Sequence, residues 1–182
     1  MTFFDTLLER NARFAETGFA PELRMMPSTG TIVLGCVDPR VDPVEVLGLQ
    51  QGEAAIIRNV GGRVNGPVME TLALLRVVAK AAGRADGVRN LVLLHHTDCG
   101  ILGCYHHAPA LLAQHMGVET GALDELDVTD PRKSVARDIA ALRANDQLPE
   151  AVTVSGLVYD VVTGRVEVVV PPAPLRTTRE QA

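Results

Sequence analysis

Two short segments of this chain hold side chains that bind soft metals or act as nucleophiles. Cys36, Asp38 and Arg40 stand in "CVDPR" (36–40), and His96 and Cys99 in "HTDCG" (96–100). Two thiolates and one imidazole suit zinc, and a Cys2His set leaves one of the four tetrahedral positions for water, as catalytic sites do. His96 and Cys99, three residues apart in a turn, can wrap a single ion, whereas Cys36 must be delivered from a distant part of the chain. The two thiolate charges cancel the zinc charge. Arg40 is near enough in sequence to offset the negative charge of a bound hydroxide, and Asp38 can accept a proton from bound water or swing in as a fourth ligand.

Other chemistries compete for the same residues. "CGILGCYHH" (99–107) contains Cys99, Cys104, His106 and His107, enough for a local structural zinc cluster that dispenses with Cys36, although its spacing is irregular for a zinc finger. Cys36 or Cys99 could serve as a nucleophile. "RNVGGRVNG" (58–66) precedes a helix, as phosphate-binding turns do, but lacks their spacing and reads as a backbone turn beside the site. His95, His106 and His107 are candidate proton relays; strand alternation points His95 away from the face that His96 serves.

The elements that must position these groups are legible from periodicity. Residues 3–16 have helical apolar spacing, with Thr2 as N-cap and Asp5 at the capping-box position. "TIVLGCV" (31–37), 53–62 and 89–96 are short, continuous apolar runs of the kind found in buried parallel strands. "VEVLGL" (44–49) offers one or two helical turns. Residues 65–83 form a helix with Pro67 just inside its start and Gly83 past its end. Residues 108–116 and 129–146 are helical, the latter capped by Thr129 or Asp130. "AVTVSGLVYD" (151–160) and "RVEVVV" (165–170) form a hairpin about "VTG", and the tail from residue 171 is extended or disordered. Strands alternating with helices predict an α/β fold with a mostly parallel β-sheet flanked by helices. Functional residues of such sheets gather beyond the carboxyl ends of the strands, where strand order reverses; if the first and third strands are neighbours there, Cys36, His96 and Cys99 share one crevice.

Bulk properties narrow the function classes. The 182 residues, 47% hydrophobic and 21% charged, describe a globular chain expected to form one domain: an N-terminal arm and loop (1–29), a core (30–170) and a tail (171–182). A net charge of −5 without clustered Lys and Arg argues against nucleic acid. No apolar run approaches the roughly 20 residues of a membrane span, and the N-terminus reads as an amphipathic helix, so the expected compartment is the cytoplasm. Three cysteines, an odd count, argue against a disulfide framework.

"CVDPR" (36–40), "RNVGG" (58–62) and "HTDCG" (96–100) together resemble the three signature segments of the β-class carbonic anhydrases, Cys-x-Asp-x-Arg, Arg-Asn-x-Gly and His-x-x-Cys-Gly, and look most like the compact bacterial type. The resemblance is compatible with residues 30 to 170. It implies a β-carbonic anhydrase-like α/β fold, Zn2+ held by Cys36, His96 and Cys99, and reversible hydration of carbon dioxide to bicarbonate by zinc-bound hydroxide. It also implies a dyad in which Arg40 pairs with Asp38. Asp38 accepts a hydrogen bond from the hydroxide in the active state and replaces it on the metal in a closed state. A homodimer or dimer of dimers is implied, with the N-terminal helix reaching over the partner. The chain departs from the family at Pro39, where Ser is frequent, and at Gly62. With aromatics at only 3%, aliphatic residues are expected to line the substrate pocket, with Val60, Gly100 and Ile101 as candidates. Some relatives of this type hydrolyse carbonyl sulfide or carbon disulfide, and the motifs do not separate these activities. A non-catalytic, zinc-stabilised dimeric interaction protein is the further alternative, and the intact Asp38 and Arg40 speak against it.

Overall fold

The computed structural model describes residues 1–84, 88–146 and 148–176. Its frame is a five-stranded sheet in the order β2-β1-β3-β4-β5, built from β1 (Thr31–Cys36), β2 (Ala54–Asn59), β3 (Asn90–His96), β4 (Thr153–Asp160) and β5 (Arg165–Pro174). β2, β1, β3 and β4 run parallel, and β5 returns antiparallel from β4. The first and third strands are therefore hydrogen-bonded neighbours, with Ile32 level with Leu91 and Leu34 level with Leu93. Their apolar runs are continuous because both lie inside the sheet, where Ile32, Val33, Leu34, Leu93 and Leu94 are buried.

Among the described residues the chain forms six α-helices: α1 (Phe3–Thr17), α2 (Pro43–Leu47), α3 (Gly66–Ala81), α4 (Ile101–His107), α5 (Pro109–Met116) and α6 (Pro131–Ala144). The start signals operate as expected. Thr2 and Asp5 form a reciprocal capping box on α1. Asp130, rather than Thr129, caps α6 by accepting the N–H groups of Arg132 and Lys133. Val68 and Leu72 of α3 and Val135, Ile139 and Leu142 of α6 join Ile32, Leu34, Leu91 and Leu93 in the main core. A second apolar cluster forms past the end of β3, where Ile101, Leu112, Ala113, Met116, Leu123 and Val128 pack together. α1 buries none of its residues: Phe3 and Phe4 are 71% and 66% exposed.

The structure departs from the sequence reading in two places. "ILGCYHH", not assigned to an element, forms α4; it begins immediately beyond Cys99 and Gly100 and is anchored by buried Ile101. The last strand continues past Val170 to Pro174, so the first residues of the tail belong to the sheet. Its prolines fit because β5 is an edge strand whose pairing is irregular opposite Val154 and Gly156. Beyond it Leu175 is buried in the main core. Residues 177–182 of the expected tail lie outside the described residues.

β2 turns toward α3 through a 3₁₀ turn at Val60–Gly62, in which Gly61 and Gly62 adopt φ of 82° and 65°. A Cβ on Gly62 would lie 3.0 Å from both the backbone nitrogen of Cys36 and the carbonyl carbon of Gly35. Glycine is thus required there by conformation and by the close approach of two backbones. Gly62→Ala is expected to destabilise the fold by roughly 2 kcal/mol or more, as strained backbone at such positions does. Urea denaturation measures it; an unchanged midpoint would show that β1 does not constrain the turn.

Candidate metal centre

β1 and β3 end side by side, and the chain departs from each through a tight turn. The sulfur of Cys36 lies 3.8 Å from that of Cys99. A donor atom of His96 completes a cluster in which all three atoms lie within 4.8 Å of one another. Among the described residues this is the one grouping of three or more His, Cys, Asp or Glu donors with such a spacing. The local alternative built on Cys99, Cys104, His106 and His107 is thereby overturned. Helix α4 carries Cys104 into contact with the second apolar cluster, where it packs as a small hydrophobe.

The donor set fits a zinc ion on its own chemistry. Nδ1 of His96 lies 2.8 Å from the carbonyl oxygen of Thr97, which favours a proton on that nitrogen and leaves Nε2 with a lone pair. Nε2 is buried and has no hydrogen-bond partner among the described residues. An orphaned imidazole nitrogen beside two close sulfurs is costly unless something accepts its lone pair. The contact with Cys99, followed by contacts with His96 and the backbone N–H groups of Asp38 and Gly61, outweighs burial and holds the Cys36 thiol far below its ordinary value. The same sulfur–sulfur contact pushes Cys99 up. Cysteine binds a dication as the thiolate, so an ion held at this cluster would draw the protons off both sulfurs.

Of the four residues expected to ligate, Asp38 stands outside the cluster. Its carboxylate is engaged by Arg40, which donates from Nε to Oδ1 at 3.1 Å and from Nη2 to Oδ2 at 2.7 Å, while the Arg40 backbone N–H donates to Oδ1 at 2.9 Å. The Arg40 side chain reaches on to β3's exit: Nη1 donates to Asp98 Oδ2 at 2.8 Å and Nη2 to the Asp98 carbonyl at 2.9 Å. Asp98 holds that position with φ of 52°, unusual for a residue other than glycine. Arg40 thus ties the two halves of the site to each other.

The pocket candidates divide. Ile101 is 3% exposed and lines a cavity of about 60 Å³ together with Gly61, His96 and Cys99. Val60 and Gly100 are exposed and are absent from its lining. His95 Nδ1 meets Ser134 Oγ of α6 at 2.9 Å, and the ring lines the same cavity as His96.

Three supporting groups escaped the sequence reading. The Gly61 backbone N–H donates to Cys36 Sγ at 3.3 Å; a backbone group leaves no trace in residue type, although the paired glycines marked the turn. Arg58 donates to the carbonyls of Cys36 and Asp38, each at 2.8 Å, and to Asp42 Oδ2 at 2.7 Å, fixing the loop that carries the dyad. Its signal was its place in "RNVGG". Buried Arg63 pairs with Asp138, 75 residues away, and no local pattern announces that contact.

The comparisons agree with this geometry. The carbonic anhydrase family model matches residues 31–125. β-Carbonic anhydrase 1 of Mycobacterium tuberculosis is 31% identical over 172 residues, covering 94% of this chain and all of that protein. A carbonic anhydrase crystal structure from Streptococcus mutans superposes with a TM-score of 0.72 at 34% identity, covering 93% of this chain and 98% of the other. Carbon disulfide hydrolase of Acidianus sp. is 26% identical over 157 residues, covering 73% of this chain and 74% of that protein.

The dyad makes a testable electrostatic claim. Hydrogen bonds from Arg40, opposed by burial, hold Asp38 down to about 2. A carboxylate depressed in the folded state adds stability above its unfolded pKa of about 3.9, and that stability is lost as pH falls through the folded value. A carboxyl-carbon NMR titration should therefore find Asp38 still charged at pH 3. Arg40→Met should raise its pKa by about one unit or more; an Asp38 that titrates identically in both proteins would refute the pairing. Two distant strand ends, a Cys2His donor cluster and an Arg-held aspartate, with a family match over half the chain, make this chain a member of the β-carbonic anhydrase family.

Proposed function

We propose that this protein catalyses the reversible hydration of carbon dioxide to bicarbonate with zinc held by Cys36, His96 and Cys99. The observation that carries the reading is the pairing of a three-donor soft cluster with an Arg40-held carboxylate that stands outside the donor grouping. Zinc bound there supplies Lewis-acid activation of water at neutral pH. The protein's own groups do the rest. Asp38, kept charged and oriented by Arg40, accepts a hydrogen bond from the attacking water and turns its lone pair toward the carbon of carbon dioxide. Arg40 also supplies positive charge where the product anion forms. Water and carbon dioxide give bicarbonate and a proton, which passes to buffer.

Hydrolysis of carbonyl sulfide or carbon disulfide on the same residues is the second reading, supported by the similarity to carbon disulfide hydrolase of Acidianus sp.. The apolar face of α1 supports a homodimeric assembly, because Phe3, Phe4, Leu7, Leu8 and Phe14 are exposed on an arm that buries nothing in its own chain. The related structures include two tetrameric β-carbonic anhydrases of Sordaria macrospora. Three free cysteines fit a reducing cytoplasm, and no helix among the described residues is long and apolar enough to cross a membrane.

Stopped-flow assay of carbon dioxide hydration, beside carbonyl sulfide and carbon disulfide turnover and zinc analysis of the same preparation, tests the proposal. One zinc per chain and hydration lost on chelation are expected. Asp38→Asn should retain zinc and lose hydration by about 10²–10⁴-fold, the usual range for a positioned proton acceptor. Zinc with turnover of the sulfur substrates alone would favour the second reading. Zinc with no turnover at all would leave an interaction protein, and activity that survives chelation but not alkylation would point to a thiol nucleophile.

A further inference from the structure

Asp138 lies in α6, away from the three candidate ligands, and is the one buried carboxylate among the described residues. Oδ2 accepts from Arg63 Nε at 2.9 Å and from the Val64 backbone N–H at 2.9 Å, and Oδ1 accepts from Arg63 Nη2 at 2.9 Å. His95 Nε2 stands 3.5 Å from Oδ2. Arg63 is in turn clasped by Asn59, whose Oδ1 accepts the Arg63 N–H at 2.8 Å and whose Nδ2 donates to the Arg63 carbonyl at 2.7 Å. The Val60–Gly62 turn is therefore closed at its base by Asn59 and pinned from outside by Asp138.

We propose that Asp138 is a positioning residue for the metal centre: one buried carboxylate on α6 fixes the turn that aims the Gly61 N–H at Cys36. The proposal rests on the zinc reading above.

Stability alone gives no reason for this arrangement. Replacing a buried ion pair by apolar groups of similar volume is often neutral or stabilising. Here Arg63 Nη1 is also left buried without a partner among the described residues, a further cost. What an apolar pair cannot supply is direction. The carboxylate holds the Val64 N–H and the Arg63 fork at fixed angles, and those two residues follow Gly62, which is joined to Gly61, whose amide lies 3.3 Å from Cys36 Sγ. An N–H···S contact withdraws charge from a thiolate and so tunes it as a metal donor, as outer hydrogen bonds do for other ligands.

The test uses cobalt(II) in place of zinc, because the thiolate-to-cobalt charge-transfer band reports the energy of the sulfur lone pairs. Asp138→Asn would strand the Arg63 charge in the core, so the pair is replaced together as R63M/D138L. Arg63→Lys, which keeps the charge and loses the fork, is the second variant. Circular dichroism and thermal melts establish which variants fold.

In a folded variant the band is expected to move to lower energy, and zinc affinity, measured by chelator competition, to fall about tenfold or more. Wild-type band position and affinity in either folded variant would overturn the proposal. Failure of the wild-type chain to bind cobalt or zinc at all would instead overturn the metal reading beneath it.

Discussion

Two sulfurs come within 3.8 Å of each other because two parallel strands lie side by side and stop at nearly the same level. That adjacency is the constraint on which the site depends. Cys36 and Cys99 are 63 residues apart, and no local structure could bring them together. The crossovers do so: β1 leads out to β2 on one side, and the chain returns through α3 to β3 on the other. Both strands adjoining β1 therefore deliver their carboxyl ends to one crevice, the place where open α/β sheets put their chemistry. The apolar bodies of β1 and β3 are buried in the main core, so the register that aligns their ends is backed by most of the hydrophobic free energy of the fold.

Around this meeting point the protein spends three arginines, each for geometry more than for charge. Arg58 holds the backbone of the loop after β1, Arg40 joins that loop to the one after β3, and Arg63 secures the glycine turn after β2. Each uses several of its fixed donors at once, which lysine could not reproduce. The loops that leave all three strands are thereby locked to one another although they contain little regular structure. Among the described residues, Arg40 is the side chain that hydrogen-bonds the Asp38 carboxylate beside the cluster.

Much of this was legible in the sequence, for physical reasons that differ from part to part. Continuous apolar runs at 31–37 and 89–96 identify interior strands, and Cys36 and His96 at their ends are soft donors where a sheet puts ligands. Caps at Thr2 and Asp130, and Pro67 just inside the start of α3, mark helix starts because they answer backbone needs within one turn. What escaped was either short or long-range. α4 is only seven residues and owes its place to Ile101 rather than to periodicity. β5 runs on through prolines that would end an interior strand, because an edge leaves one side free of hydrogen bonds. The Gly61 N–H is a backbone donor, and Asp138 meets Arg63 across 75 residues, so neither contact leaves a local pattern.

The central claim is that one zinc ion draws two sulfurs from distant strands and one imidazole, with a position left for water. X-ray absorption at the zinc edge, on protein purified at neutral pH, tests it most directly. The account predicts two sulfur scatterers at about 2.3 Å and two nitrogen or oxygen scatterers at about 2.0–2.1 Å. A first shell with a single sulfur, or with none, would mean that Cys36 and Cys99 do not share an ion, and the account would be wrong at its root.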